Sequence, residues 1–224
     1  MIEAILPAAV ASADAFSDPP GAFLFPEEEA RLARAVPKRR REFTTARACA
    51  REALATLGVG PVPILPGDKG APEWPAGIVG SMTHSAAYRA AAVARASDVV
   101  SVGIDAEPHE PLPKGVQRTI ALPAEVTMLG RLAAGEPSVH WDRLLFCAKE
   151  ATYKAWFPLA QRWLGFDDAE VTVDPGDGRA GTFTTRLLVP GPPVAGRPLT
   201  GFTGRWLVDT STAMIATAIT VIPK

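Results

Sequence analysis

The chain has 224 residues, 47% hydrophobic and 21% charged, an ordinary globular composition with apolar mass for one large domain or two small ones. A formal net charge of −1 provides no global field to draw it onto nucleic acid or an anionic membrane, so neither is expected as a partner. Cys49 and Cys147 are too few for a disulfide framework or a zinc site and read as reduced packing residues, with a single bridge between them left open. Met1 to Pro7 lacks the basic start and apolar core of a signal peptide, and no apolar run approaches the ~20 residues of a membrane span, so a soluble cytoplasmic protein is expected.

Pro26-Glu27-Glu28-Glu29 opens a short helix, with proline in the first turn and acids at the positive end of the dipole, and Pro37 closes it. The spacing of Phe43, Ala46, Ala50, Leu54 and Leu57 predicts a longer helix from about Lys38 to Leu57, with Gly58 as its stop. Eight basic residues lie between Arg31 and Arg51 against one acid, Glu42, and make a concentrated positive patch. After a proline-rich stretch with a turn at Gly67–Gly70, the pattern shifts to strands: Ile78–His84, a returning hairpin partner Tyr88–Ala94, and a third over Val99–Ala106. Pro108, Pro111 and Pro113 form a stiff crossing segment, where we place a boundary between residues 1–107 and 108–224. Helices over Ala124–Ala134 and Trp141–Trp156 follow, the second ended by Phe157-Pro158, then strands around 170–173, 183–189, 204–208 and 214–221. Helices first and strands afterwards, in both halves, predict an α+β fold of two similar lobes, a pseudo-dimer within one chain with the active cleft between them.

Asp105 and Glu107 end the third strand two residues apart, so they project to one face, with Gly103 giving room. Such close charges raise each other's pKa, and a cation relieves that cost; a solvated strand end is the plainer alternative. Glu150 and Lys154 stand four apart on the second long helix, the commonest surface ion-pair spacing. Phe146, Glu150 and Tyr153 nevertheless share a stripe beside Lys154, which favours a cleft over bulk water. Three carboxylates and the amines of Lys149 and Lys154 suit a hard cation such as Mg²⁺ beside a phosphate. Thr83 and the backbone N–H groups of the turn after His84 offer a phosphate cradle, while a lone histidine is more often structural and Lys69, at a turn tip, is by default solvated.

These segments resemble the 4′-phosphopantetheinyl transferase superfamily, in the branch typified by the surfactin and enterobactin synthetase activators. Gly103-Ile104-Asp105-Ala106-Glu107 matches the family's G-[IV]-D-x-E, and Phe146 through Lys154 matches [FW]-x-x-K-E-[AS]-x-x-K at a fitting distance. Gly80–His84 resembles the family's strand ending in Ser/Thr-His, and Lys38–Arg51, Pro63–Gly70 and Phe157–Phe166 resemble actinobacterial members, so the likeness spans about residues 37–168. It implies Mg²⁺-dependent transfer of the phosphopantetheine arm of coenzyme A to a serine of an apo acyl or peptidyl carrier protein, with release of adenosine 3′,5′-bisphosphate. Mn²⁺ is the alternative metal.

Residue by residue, the likeness assigns the metal to Asp105, Glu107 and Glu150, with Glu150 or a metal-bound water taking the serine proton and Lys154 steadying the leaving phosphate. Arg39, Arg47, Lys69 and His84 hold the 3′-phosphate and nucleotide, joined by Thr83, Asp105, Lys149 and Lys154. Phe146, Tyr153 and Trp163 line the pantetheine slot. Pro66 departs from the pattern of relatives with a basic residue there, so one phosphate contact is either missing or supplied by Arg40. The first lobe then carries the nucleotide-binding residues and the second the catalytic helix and carrier docking, with Val116–Leu132 as the docking candidate and a monomer as the natural state. A metal-dependent phosphoesterase or nuclease and a non-catalytic carrier-binding module are the alternatives.

Overall fold

Helices that open on proline and strands that end in tight turns account for most of the element ends. The computed structural model describes residues 1–223. A short 3₁₀ turn at Ile2–Ile5 leads to β1 (Ala11–Ala15), α1 (Pro26–Ala30), α2 (Pro37–Thr56), β2 (Ile78–Ser85), β3 (Tyr88–Arg95) and β4 (Ser101–Pro108). Then come α3 (Val116–Ile120), α4 (Pro123–Gly135), α5 (Trp141–Ala160), β5 (Ala169–Asp174), β6 (Ala180–Leu187), the two-residue strands β7 (Pro193–Val194) and β8 (Arg197–Pro198), β9 (Gly201–Asp209) and β10 (Met214–Val221). The class is α+β.

Proline occupies the first turn of α1, α2 and α4, where its missing N–H has no intrahelical partner to lose. Gly58 ends α2 as expected: at φ +74 it lets its own N–H reach Ala55 O (2.9 Å) and that of Val59 reach Leu54 O (3.0 Å), a Schellman closure. The expected stop at Pro158 is corrected. Helix α5 runs through it to Ala160: Pro158 forgoes its own hydrogen bond in the last turn, and Gln161 N–H closes the end on Phe157 O at 2.9 Å.

The antiparallel sheet β1-β3-β2 packs α2 on one face, through Ala91 and Val93 against Cys49, Ala50, Ala53 and Leu54. Its other face, with Tyr88, Ala90, Ala92 and Ala94, packs on Val102, Ile104 and Ala106 of β4 and on Met214, Ala216 and Ala218 of β10. The second sheet runs β4-β10-β9-β6-β5, and α5 covers its far face, with Leu144, Leu145, Ala148, Ala151 and Ala155 in the largest core cluster. The alternation along β4 therefore points Ser101, Gly103, Asp105 and Glu107 at α5. A Cβ on Gly103 would lie 2.1 Å from Ala151 O and 2.6 Å from Ala155 N, so only glycine lets helix and strand come this close. Strand β4 falls in the first half by the sequence boundary, yet its hydrogen-bonded neighbour is β10, in register from Met214↔Pro108 to Val221↔Ser101.

Strands β2 and β4 lie side by side but belong to separate sheets. Two hydroxyls join them: Ser81 Oγ accepts from Ile104 N–H at 3.1 Å, and Thr83 Oγ1 donates to Asp105 Oδ1 at 2.9 Å. Among the described residues no helix is long and apolar enough to cross a membrane.

Candidate active site

The seam between the sheets opens into a cavity of about 370 Å³, where α2, β2, β4 and α5 converge. Helix α2 brings Arg39, Phe43 and Arg47; β2 brings Thr83 and His84; β4 brings Asp105 and Glu107; α5 brings Phe146, Glu150 and Lys154. Ten of the sequence-selected or neighbouring groups thus face one space, although they come from four separate elements. A second cavity of about 860 Å³ adjoins it, sharing Pro66, Gly70, Pro72, Met82, Glu150 and Lys154, and adds Lys69, Tyr153, Phe157 and Gln161.

At the acidic end, Lys154 Nζ lies 2.7 Å from Asp105 Oδ1, and Asp105 Oδ2 is buried without a partner. Burial, and then the charge of Asp105, push the Glu107 carboxyl up to about 7, against the pull of Arg143. The same two causes raise Glu150, with Lys154 opposing them. Burial pulls the Lys154 ammonium down, but Asp105 and Glu150 outweigh it and hold the group above its ordinary value. Among the described residues no three His, Cys, Asp or Glu side chains stand close enough to enclose a cation unaided. The site still fits a divalent cation. The bare Asp105 oxygen and the mutual repulsion of the acids are both relieved by positive charge, and hard cations commonly take the rest of their shell from water and substrate phosphate.

At the basic end, Arg39 Nη1 and His84 Nε2 are hydrogen-bonded at 2.8 Å. Burial, and then the Arg39 charge, lower the His84 pKa, so the ring is neutral near pH 7, with Nε2 accepting from Arg39. Arg47 lies with its guanidinium 3.2 Å over the Phe43 ring, while its Nε donates to Ile64 O at 3.1 Å. Burial lowers its pKa to about 10, partly offset by Glu28, and it stays cationic. Glu28 is fully buried and anchors this end: it takes two hydrogen bonds from Arg51, one from Ile64 N–H and one from Phe25 N–H.

Several expectations need correction. Lys149 faces away from the cavity, its ammonium 2.9 Å from Glu125 and donating to Phe166 O and Ala169 O, so it ties α5 to α4 and β5 instead of binding a ligand. One residue along a helix turns a side chain about 100°, and Glu150 takes the inward position. Arg40 is paired with Glu29 at 2.6 Å and does not replace the basic residue absent at Pro66. Lys69 lines the larger cavity only, on a backbone with φ +53. The three aromatics do not form one slot: Phe146 lines the smaller cavity, Tyr153 the larger, and Trp163 is 64% exposed, 4.8 Å from the Tyr153 ring. In the docking candidate, Met128 and Leu129 are core residues and Val126 is exposed.

Arg143 was missed. It lies seven residues before Glu150, two helical turns away on the same face of α5, and its Nη1 meets Glu107 Oε2 at 3.2 Å. That spacing was legible; the return of the crossing segment over α5 was not.

Comparison with known proteins bears on the same residues. The family model described as the 4′-phosphopantetheinyl transferase N-terminal domain matches residues 27–94, and that of the 4′-phosphopantetheinyl transferase superfamily matches residues 101–189. The chain is 57% identical to the 4′-phosphopantetheinyl transferase Svp of Streptomyces mobaraensis, over 99% of this chain and 89% of that protein. It is 53% identical to PptT of Mycobacterium tuberculosis over 96% of each, and 52% identical to Npt of Nocardia iowensis over 98% of this chain and 99% of that one, both likewise 4′-phosphopantetheinyl transferases. With both halves matched by the family's own models and near-complete coverage at this identity, the chain belongs to the 4′-phosphopantetheinyl transferase superfamily.

Proposed function

We propose that the seam cavity is where this enzyme transfers the 4′-phosphopantetheine arm of coenzyme A to a serine of an apo acyl or peptidyl carrier protein. The observation that carries the reading is the meeting of opposite chemistries in one space: three carboxylates and Lys154 at one end, Arg39, Arg47 and His84 at the other. A 3′-phosphate belongs at the basic end and a pyrophosphate at the acidic one.

A divalent cation, Mg²⁺ by preference, held by Asp105, Glu107 and Glu150 would supply charge neutralisation to the splitting pyrophosphate. The protein's own groups do the rest. The serine hydroxyl attacks the phosphorus attached to the pantetheine arm; the bond to the bridging oxygen breaks, and adenosine 3′,5′-bisphosphate departs. Glu150, its carboxyl raised above the ordinary value by burial and by Asp105, is suited to accept the serine proton. Lys154 stays charged beside Asp105 and faces the negative charge that builds on the leaving phosphate. Arg39, Arg47 and His84 fix the nucleotide, while Lys69 and Tyr153 border the larger cavity into which the arm extends.

The same reading takes residues 1–107 and 108–224 as two similar lobes, with the sheet-to-sheet seam as the cleft and β4 lent across it. All the residues lining the cavity come from one chain, which supports a monomer as the working state; the cytoplasm is the compartment this reading takes. The exposed face around Val126 is the carrier-docking candidate. The likeness to 4′-phosphopantetheinyl transferases over nearly the whole chain favours this reading over a nuclease or a non-catalytic binding module.

Incubation of an apo carrier protein with coenzyme A and Mg²⁺, followed by intact mass, tests the reading. The carrier gains one phosphopantetheine, and Glu150→Ala abolishes the gain with the fold retained. Full labelling by that variant removes Glu150 from the site.

A further inference from the structure

The first turn of α5 grips the crossing segment at three successive residues. Arg143 Nε donates to Glu110 O at 3.1 Å, and Nη2 to Pro111 O at 3.0 Å; next to it, Asp142 Oδ2 accepts from Leu112 N–H at 2.9 Å. The remaining arm of the Arg143 fork, Nη1, meets Glu107 Oε2 at 3.2 Å. Arg143 is 8% exposed, and the Glu110 carboxylate is the other acid near it, at 3.6 Å from Nη2. A planar guanidinium serves carbonyls on one edge and a carboxylate on another without changing rotamer, which an ammonium cannot do. The backbone of Glu107 is set by the ladder, opposite Ile215 and one residue before β4 ends, and the guanidinium adds a fix on its carboxylate.

We propose that Arg143 is a positioning residue for the transfer reaction: it orients the Glu107 carboxylate as a metal ligand and ties that orientation to the crossing segment. The inference rests on the reading of Glu107 as a ligand given above. With Oε2 braced by Arg143, the carboxylate presents its remaining lone pairs to the cavity it lines. Groups that orient a ligand in this way typically change metal affinity by roughly 10- to 100-fold when removed. A residue that only anchored the crossing segment would change stability and leave metal binding alone.

The test is equilibrium binding of Mn²⁺ to the full-length protein with coenzyme A, read by electron paramagnetic resonance, with thermal melts alongside. Arg143→Met weakens Mn²⁺ binding by roughly 10- to 100-fold, and Arg143→Lys, which keeps the charge without the fork, recovers little of it. On a Glu107→Gln background the Arg143→Met change adds less than about twofold, because the two act as one unit. Asp142→Ala removes the acceptor for Leu112 N–H without touching Glu107; it lowers the melting temperature and leaves Mn²⁺ affinity within about twofold. Unchanged binding in both Arg143 variants, or an equal loss with and without Glu107, overturns the proposal. Wild-type Mn²⁺ binding by Glu107→Gln alone overturns the ligand reading and this inference with it. If Arg143→Met does not fold, Arg143→Lys against Glu107→Gln gives the same cycle.

Discussion

Lys154 Nζ stands 2.7 Å from Asp105 Oδ1, and Thr83 donates to that same oxygen, so the carboxylate is held on one side and bare on the other. This half-satisfied acid sets what the lysine is worth. Lys154→Ala removes both the brace on Asp105 and the cation facing the leaving phosphate. We expect kcat to fall by roughly 100-fold or more, the scale for losing one preorganised donor to a developing charge, with a much smaller change in KM for coenzyme A. Steady-state kinetics on an apo carrier check this; a rise in KM with kcat intact would place Lys154 in ground-state binding instead.

Arg47 is preorganised for an anion by its stacking on Phe43 and its bond to Ile64 O. Arg47→Ala should raise KM for coenzyme A by on the order of tenfold or more, consistent with a charge-assisted bond of about 1.5–3 kcal/mol, and leave 3′-dephospho-coenzyme A nearly unaffected. Comparing the two substrates decides the matter. An equal effect on both shows that Arg47 does not read the 3′-phosphate.

His84 provides a pH signature. Its folded pKa lies below the ordinary value, so the unfolded chain binds the proton more readily, and this residue's contribution to stability rises with pH through the window between its folded value and about 6.5. Anion binding reverses the cause: a phosphate at the basic end favours the charged ring. Coenzyme A binding should therefore take up protons below the ordinary histidine value of about 6.5, seen by calorimetry in buffers of different ionisation enthalpy, and His84→Ala should lose that uptake. Proton uptake unchanged in the variant would assign it to another group.

Gly103 controls the distance between the two acidic elements. A methyl there meets backbone atoms of α5, which cannot rotate away. Gly103→Ala should cost about 1–3 kcal/mol of stability by overpacking and lower activity more than the stability loss explains, because α5 carries Glu150 and β4 carries Asp105. Denaturant melts and kinetics on the folded fraction separate the two effects.

Much of this was legible in the chain. Strands β2 and β3, the extent of α2 and the outward step at Gly58 follow from periodicity and glycine chemistry. The Asp105–Glu107 pair faces one way because strands alternate. What failed did so for tertiary reasons. Lys149 and Glu150 are adjacent in sequence, and only the position of α4, with Glu125, decides which of them turns inward. The family likeness places Phe146, Tyr153 and Trp163 in one slot, but Phe146 and Tyr153 line different cavities and Trp163 stands exposed. Strand β1, Ala-Ser-Ala-Asp-Ala, alternates only in alanines, with no β-branched or aromatic residue to mark it, and its alanines find their place against α2 once β3 offers an edge to pair with. Arg143 needed knowledge of where the crossing segment returns.

The join between β2 and β4 has a further meaning. A backbone ladder would be supplied by any sequence in register, whereas here alignment across the join depends on Ser81 and Thr83. The relative setting of the coenzyme end and the acid end is thus encoded in two side chains, each replaceable by a single codon change. Substrate fit can be retuned at that junction without remaking either sheet.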